Sequence, residues 1–240
     1  MVPQDRDLAW PRPDSYARGD SMRFLCISDI HGHADALAAV LATAERRGFG
    51  RLLVAGDICF PGPTPLETWR RLMSFNATCV QGVGDRALAT LDPDGLNARS
   101  DFERARLRRL RETRTELGEL ILARLAKLPT SLRIPIEGAR QLELVHGSPR
   151  DPFEPITHEL DDDEIAALLG DNPADVVVCG GSHVPFDRTV GRTRIVNVGS
   201  VGEAPGGTHA HATFIETSAS GITVEQFAVP LASPLAASGG

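Results

Sequence analysis

The chain has 240 residues and a formal net charge of −7, with 42% hydrophobic and 24% charged residues. This composition is ordinary for a globular protein, and the length suffices for one domain of mixed architecture with a sizeable core. The acidic charge argues against a nucleic-acid coat protein and leaves room only for a local basic groove. No stretch approaches the roughly 20 apolar residues that a spanning helix needs, so no membrane association is expected.

Polar segments flank the central part of the chain. Residues 1–21 lack the apolar run of a signal peptide, which predicts a flexible N-terminal extension and a cytoplasmic protein. Residues 230–240 are rich in Ala, Ser, Pro and Gly, which predicts a disordered tail. The folded domain is therefore expected to span residues 22–229.

Strands and helices are predicted to alternate through the first half of this domain. Residues 22–27 predict a buried strand, and the i, i+3, i+4, i+7 spacing after His33 predicts an amphipathic helix. The runs 52–55 and 77–80 predict two more strands, with a helix beginning at Pro65 between them. This βαβ order indicates a parallel sheet.

A long helical insertion is predicted at about residues 100–128. Ser100 and Glu103 form a capping-box pair at its start, and Pro129 follows its end. Its first half carries six arginines: Arg104, Arg106, Arg108, Arg109, Arg111 and Arg114. These arginines form either a solvated helix face or a lid that binds a phosphorylated substrate.

The second half of the domain is predicted to be richer in strands. Its first elements are strands at 131–134 and 142–145, a helix at 162–169 and a strand at 176–179. Three alternating segments near 193–197, 211–216 and 222–227 are predicted to form an antiparallel meander. Parallel units first and β-rich segments last indicate an α/β sandwich.

Four of the predicted strands end in a residue type that binds metals. Asp29 and His31 follow the first strand, and Asp57, His146 and His183 follow three later strands. Side chains at the ends of neighbouring strands are expected to point into one crevice at the rim of the sheet. Carboxylate oxygens and imidazole nitrogens together suit a divalent transition metal. The pattern therefore predicts a metal-dependent active site.

Six motifs follow one another in a fixed order along the domain. They are Asp29-x-His31, Gly56-Asp57-Ile58 with Gly62-Pro63-Thr64-Pro65-Leu66-Glu67, Gly82-Val83-Gly84-Asp85, Val145-His146-Gly147-Ser148-Pro149, Gly181-Ser182-His183 and Asn197-Val198-Gly199-Ser200-Val201-Gly202. This series resembles the calcineurin-like metallophosphoesterase family, and its small bacterial and archaeal phosphodiesterase branch in particular. The resemblance runs from Met22 to about Val229. It implies an α/β fold, a calcineurin-like αββα sandwich of two mixed β-sheets flanked by helices.

The resemblance also implies hydrolysis of a phosphomonoester or phosphodiester by water activated between two divalent metals. Carried over by position, Asp29, His31 and His183 hold the first metal, and Asp57 bridges the two. His146 serves the second metal and is the implied catalytic residue. Mn²⁺ is the ion that we expect, with Fe, Zn²⁺ or Ni²⁺ as alternatives. The expected partner is a small phosphorylated substrate, with a nucleotide among the candidates.

The chain departs from the family pattern at three positions. Val83 and Gly181 replace an asparagine and a histidine that ligate the second metal, and Gly84 replaces the histidine or cysteine beside the leaving group. Only Asp57 and His146 then remain for the second metal. We therefore expect one firmly bound metal, a second that is weak or absent, and low activity. The alternative is a catalytically weakened metal- or phosphate-binding module that acts through partners.

Several residues near the motifs have two interpretations each. His33 and Arg86 are candidate substrate-binding residues, or else a helix cap and an exposed helix residue. Asp85 either pairs with Arg86 or approaches the metal centre. Cys59 is either a metal-facing thiol or a small buried residue. His211 is expected in a surface loop.

Overall fold

The computed structural model describes residues 22–235, which form two stacked five-stranded β-sheets with helices on the outer faces. The strands are β1 (Met22–Ile27), β2 (Arg51–Val54), β3 (Thr78–Cys79), β4 (Ser131–Ile136), β5 (Arg140–Val145), β6 (Val176–Cys179), β7 (Phe186–Val190), β8 (Thr193–Asn197), β9 (His209–Ser218) and β10 (Gly221–Pro230). The helices are α1 (Ala34–Arg47), α2 (Pro65–Ser74), α3 (Val83–Thr90), α4 (Asp101–Ala126) and α5 (Asp162–Leu169). The predicted αββα sandwich is confirmed.

Both sheets are mixed, and each contains three neighbouring parallel strands. The first sheet has the order β10-β9-β1-β2-β3, in which β1, β2 and β3 are parallel. The second has the order β4-β5-β6-β8-β7, in which β5, β6 and β8 are parallel. Ligands of open α/β sheets bind at the loops that follow the carboxyl ends of the parallel strands. The same loops are therefore the expected ligand site in this protein.

The predicted meander of the last three strands is wrong. β8 pairs parallel with β6 in the second sheet, where Val196 lies opposite Val178. β9 and β10 form a hairpin that extends the first sheet, with β9 antiparallel to β1. The prediction also omitted β7, which pairs antiparallel with β8. Alternating hydrophobicity identifies a strand but does not identify its partner, because any neighbour can bury the same face.

Alternate residues of β1 belong to two different apolar layers. Phe24 and Cys26 lie in the layer between the two sheets, together with Val178 of β6. Leu25 and Ile27 lie in the layer beneath the helices of the first sheet. Because β1 is buried on both faces, the loop that follows it has a fixed position relative to both sheets.

Two arginines of α4 hold neighbouring segments. Arg109 donates hydrogen bonds to the carbonyls of Pro61 and Gly62 in the loop after β2. Arg114 donates to the carbonyl of Leu88 in α3. At least part of the arginine-rich segment therefore fixes the structure around α4, a role that neither predicted interpretation included.

The C-terminal part of the described chain departs from the expected disordered tail. Leu231 and Leu235 are partly buried against the core beside the first sheet. Their backbone N–H groups donate to the carbonyls of Thr208 and Gly207. Residues 236–240 and the predicted N-terminal extension, 1–21, lie outside the described residues. None of the helices within residues 22–235 is long and apolar enough to cross a membrane.

Candidate metal centre

Loops from both sheets converge on one cluster of carboxylates and imidazoles. Asp29 and His31 follow β1, Asp57 follows β2, His146 follows β5 and His183 follows β6. The first four of these residues are buried, and His183 is half-buried. The structure thus brings together all five predicted metal-binding residues.

Asp29, His31 and His183 form the first group of candidate ligands. The Nε2 atoms of His31 and His183 lie 3.2 Å apart, and Oδ1 of Asp29 is 3.3 Å from the His183 Nε2. His31 Nδ1 is 2.5 Å from the carbonyl oxygen of Phe60 and therefore donates to it. In the neutral ring this leaves a lone pair on Nε2. Asp29 Oδ1 is buried without a hydrogen-bond partner, so the group fits a bound cation.

Asp29, Asp57 and His146 form the second group. Oδ2 of Asp57 lies 3.8 Å from Nε2 of His146 and 3.9 Å from Nε2 of His31. His146 Nδ1 donates to the Ala55 carbonyl at 2.7 Å, which directs its Nε2 lone pair toward Asp57. The residue common to both groups is Asp29, whereas the family resemblance implies Asp57 as the bridge. The position of Asp57 Oδ2 between the two histidines is compatible with that bridging role.

In this cluster the carboxylates favour the protonated form of the imidazoles, and the imidazoles favour the ionised form of Asp29. Burial alone would raise the pKa of Asp29, but the close approach of His183 and the charges of the surrounding histidines lower it to about 2. Burial lowers the pKa of His146, but Asp57 and Asp29 outweigh this effect and raise it above its usual value. The pKa of His183 is raised for the same reason, with Asp29 as its main partner. Protons and a metal ion would therefore compete for these imidazoles.

Four residues of the cluster share an uncommon backbone conformation. The φ angles of Asp29, His31, Asp57 and His183 are 53°, 50°, 52° and 60°. Positive φ is disfavoured for residues with a side chain, and it concentrates at functional sites, where the surrounding structure enforces it. These four are the residues that the resemblance assigns to the first metal and to the bridge.

The Asn197–Gly202 motif holds the loops that carry the ligands. The Asn197 side chain donates to the Gly180 carbonyl at 2.8 Å, next to the His183 loop. The Ser200 hydroxyl donates to the backbone carbonyl of Asp29 at 2.8 Å. Asp29 Oδ2 in turn accepts from the backbone N–H of Gly181 at 2.9 Å. The motif thus positions Asp29 against the His183 loop.

Asp85 holds the loop after Asp57. Its two carboxylate oxygens accept hydrogen bonds from the backbone N–H groups of Ile58 and Gly82, each at 3.0 Å. Burial, aided by the negative charge of Asp57, raises the pKa of Asp85 to about 6. The suggested pairing with Arg86 is wrong, because the Arg86 guanidinium instead lies 4.7 Å from the centre of the Phe153 ring.

Two of the three positions that depart from the family motifs lie on the Asp57 and His146 side of the cluster. A Cβ atom built on Gly181 would lie 3.5 Å from Nε2 of His146, and one built on Gly84 would lie 3.3 Å from Oδ1 of Asp57. The side chains missing at positions 84 and 181 would therefore have faced the second group rather than the first. Val83, the third position, begins α3 and is 49% exposed.

The predicted substrate-binding residues lie at the margin of the cluster. His33 is half-buried before α1 and lines a cavity of about 780 Å³ that also involves residues 231–235. Arg86 is exposed on α3. The Cys59 thiol is fully buried, and burial raises its pKa well above the usual value. It lies 3.6 Å from the Pro65 carbonyl, so the metal-facing interpretation of Cys59 is wrong.

Two residues near the cluster were not identified from the sequence. Oε2 of Glu203 lies 3.5 Å from Nε2 of His31 and 3.8 Å from Nδ1 of His183. His211 was expected in a surface loop, but it lies in β9, and its backbone N–H donates to the Ser200 carbonyl at 2.8 Å. The one available signal was position, because Glu203 directly follows the Asn197–Gly202 motif.

This fold and this buried Asp/His cluster define a metallophosphoesterase-like domain. Residues 22–220 match the model of the calcineurin-like phosphoesterase superfamily domain, and the chain belongs to this family. The family is metal-dependent, and its members are phosphoesterases.

Individual proteins are also similar to this chain in sequence or in fold. An uncharacterized protein of Methanocaldococcus jannaschii is 28% identical over 162 residues, which cover 67% of this chain and 62% of that protein. The match thus spans less than two thirds of the relative's length. The crystal structure of a hypothetical protein from Pyrococcus horikoshii OT3 superposes with a TM-score of 0.72 at 24% identity over 88% of each chain. A metallophosphoesterase from Sphaerobacter thermophilus superposes with a TM-score of 0.67 at 25% identity, covering 86% of this chain and 88% of that one.

Proposed function

We propose that this protein hydrolyses a phosphomonoester or phosphodiester with the help of a divalent metal held by Asp29, His31, Asp57 and His183. One observation carries the proposal. The Nε2 atoms of His31 and His183 lie 3.2 Å apart beside Oδ1 of Asp29, which is buried without a hydrogen-bond partner. An unpartnered buried carboxylate oxygen is costly, and a cation at this position would bind that oxygen and both ring nitrogens. Mn²⁺ is the ion we expect.

The surrounding hydrogen bonds prepare these side chains for that role. A bound divalent ion supplies a Lewis acid for the phosphoryl oxygens and lowers the pKa of water. The Phe60 carbonyl fixes the tautomer and the ring orientation of His31. The backbone N–H of Gly84 fixes Asp57 through its Oδ1 at 2.7 Å, which leaves Oδ2 directed at the histidines.

His146 is the proposed proton donor to the leaving group. Its Nδ1 is anchored on the Ala55 carbonyl, so Nε2 faces the Asp57 side of the cluster. Although burial opposes it, the charges of Asp57 and Asp29 raise its pKa above the usual value, which favours the protonated form that a general acid needs. Nε2 can hold either that proton or a metal ion, so this role applies when the second metal position is vacant.

The second metal position is proposed to be weak. Asp57, His146 and the shared Asp29 are the candidate ligands there, and Gly84 and Gly181 add no side-chain donor. Few protein ligands imply loose binding, and we therefore propose an enzyme of low activity. The same observation favours the second candidate function, a metal- or phosphate-binding module without significant turnover.

Metal content and hydrolysis measured on the same sample test the proposal. The full-length chain would be dialysed against Mn²⁺, its metal content determined, and its turnover of bis-p-nitrophenyl phosphate and p-nitrophenyl phosphate followed. We expect turnover that EDTA abolishes, and that Asp57→Asn removes while Asp163→Asn on exposed α5 retains it. If the protein binds Mn²⁺ but shows no metal-dependent turnover of either ester, the proposed hydrolytic activity is wrong. That result would favour the metal- or phosphate-binding module.

A further inference from the structure

An apolar pocket of about 280 Å³ lies between α3 and α4. This α3–α4 pocket is lined by residues of the loop after β2, the two helices and the loop between them. Its lining includes Phe60, Val83, Gly84, Leu91, Leu96, Ala98, Glu103 and Arg106. Its volume is near the lower end of the range for small-molecule sites.

The α3–α4 pocket adjoins the metal cluster. Gly84 lines the pocket, and its backbone N–H donates to Oδ1 of Asp57 at 2.7 Å. Phe60 also lines the pocket, and its carbonyl accepts from Nδ1 of His31. A group held in this pocket would therefore lie next to the Asp57 side of the centre, where glycine provides no side chain as a barrier.

Exposed apolar side chains concentrate at the α3–α4 pocket. Within residues 22–235, five large hydrophobic residues are exposed: Val83, Leu91, Leu96, Phe102 and Leu120. Three of these five line the pocket. Apolar side chains that remain exposed together around a concave surface indicate a binding site rather than random surface composition.

The polar groups of the pocket favour a planar ring that carries a phosphoester. The Arg106 guanidinium lies 5.0 Å from the centre of the Phe60 ring, which places a cation beside the apolar surface. The Glu103 carboxylate accepts hydrogen bonds from the backbone N–H groups of Arg99 and Ser100, so it is already engaged at the helix start. Arginine stacks on planar rings and attracts anionic esters.

We infer that the α3–α4 pocket binds a planar aromatic leaving group of the phosphoester substrate. This inference rests on the proposed function and specifies its substrate class. It also accounts for Gly84, because a phenol-type oxygen leaves with less need of a proton donor than an alkyl alcohol does. The proton-donating side chain that position 84 lacks is thus less needed for an ester of this kind.

Binding of two phosphonates that differ only in the organic group tests this inference. The affinities of phenylphosphonate and methylphosphonate for the Mn²⁺-loaded protein would be measured by titration calorimetry. We expect the phenyl compound to bind about tenfold more tightly, because its ring is removed from water. Ala98→Trp, which fills the pocket from the loop, should abolish this preference, and Leu96→Ala should reduce it. Leu120→Ala is the matched control, because Leu120 is exposed on α4 outside the pocket.

The outcomes separate this inference from the proposed function. Equal affinity of the two phosphonates would overturn the inferred role of the α3–α4 pocket. A preference for the phenyl compound that persists in a folded Ala98→Trp variant would overturn it as well. A phenyl preference without hydrolysis of any ester would overturn the proposed function alone. If neither phosphonate binds, the binding of 4-nitrophenol to the metal-free protein tests the pocket instead. Saturable binding that Ala98→Trp removes would support an aromatic-binding pocket, and absence of binding would overturn it.

Discussion

The Nε2 atoms of His31 and His183 lie 3.2 Å apart, although 152 positions separate the two residues in the chain. One ring follows a strand of the first sheet and the other follows a strand of the second. The His31 ring is fixed by the Phe60 carbonyl, so its Nε2 faces His183 with a lone pair when the ring is neutral. Their approach is favourable only with a proton or a metal ion between them.

Removal of one of these imidazoles should weaken metal binding. We expect His31→Ala to lower the Mn²⁺ affinity at least about tenfold, since loss even of groups that only orient a ligand costs that much. Titration calorimetry measures the affinity, and His158→Ala, on an exposed residue, is the control. Unchanged Mn²⁺ affinity in a folded His31→Ala variant would contradict the ligand assignment.

Glu203 should strengthen metal binding through its charge. Its carboxylate lies 3.5 Å from Nε2 of His31, so a cation held by that ring would feel the negative charge. We expect Glu203→Gln to weaken Mn²⁺ binding about three- to tenfold, as for a charge at a few ångströms in a partly solvated site. Exposed Glu154→Gln provides the comparison. If Glu203→Gln binds Mn²⁺ as tightly as the wild type, the carboxylate has no part in the site.

A histidine at position 181 should strengthen the second metal position at a cost in stability. A Cβ there would lie 3.5 Å from Nε2 of His146, but also 3.2 Å from Cβ of Pro155. The φ angle of Gly181 is 73°, which costs about 1–2 kcal/mol for a residue with a side chain. We expect Gly181→His to raise the Mn²⁺ stoichiometry and to lower the free energy of unfolding by about that amount. Unchanged stoichiometry in the folded variant would show that position 181 does not face the second site.

Asp85 should make the metal-free protein less stable as the pH rises through the mildly acidic range. The pKa of Asp85 is about 6 in the folded protein, above its usual value of 3.8. The folded state therefore binds more protons between these values, and its free energy of unfolding falls as the pH rises across this window.

The variant Asp85→Asn isolates this effect. It should be less stable than the wild type by about 1–3 kcal/mol at pH 4, because its amide NH2 faces a backbone N–H of Ile58 or Gly82 and cannot accept from it, whereas the hydroxyl oxygen of protonated Asp85 can. The difference in the free energy of unfolding between the two proteins should become smaller toward pH 7, because only the wild type loses stability through the titration of Asp85. Urea unfolding in EDTA at several pH values measures it. A difference that widens with pH would contradict the raised pKa.

The sequence predicted the ligand cluster because each ligand directly follows an apolar strand. Asp29 and Asp57, for example, are fixed by where β1 and β2 end, and the carboxyl ends of neighbouring parallel strands lie at the same edge of a sheet. Strand partnership was less predictable, because the alternation of β8 does not show which sheet it joins. Glu203 and the hydrogen bonds of Asp85 depend on contacts between distant segments, for which local spacing carries no signal.

Diffraction from crystals grown with Mn²⁺, recorded for its anomalous signal, would locate the bound metal. We expect a strong peak among Asp29 Oδ1, His31 Nε2 and His183 Nε2, and a weaker peak or none beside His146. A structure with anomalous peaks elsewhere and none among these three atoms would contradict the proposed metal site.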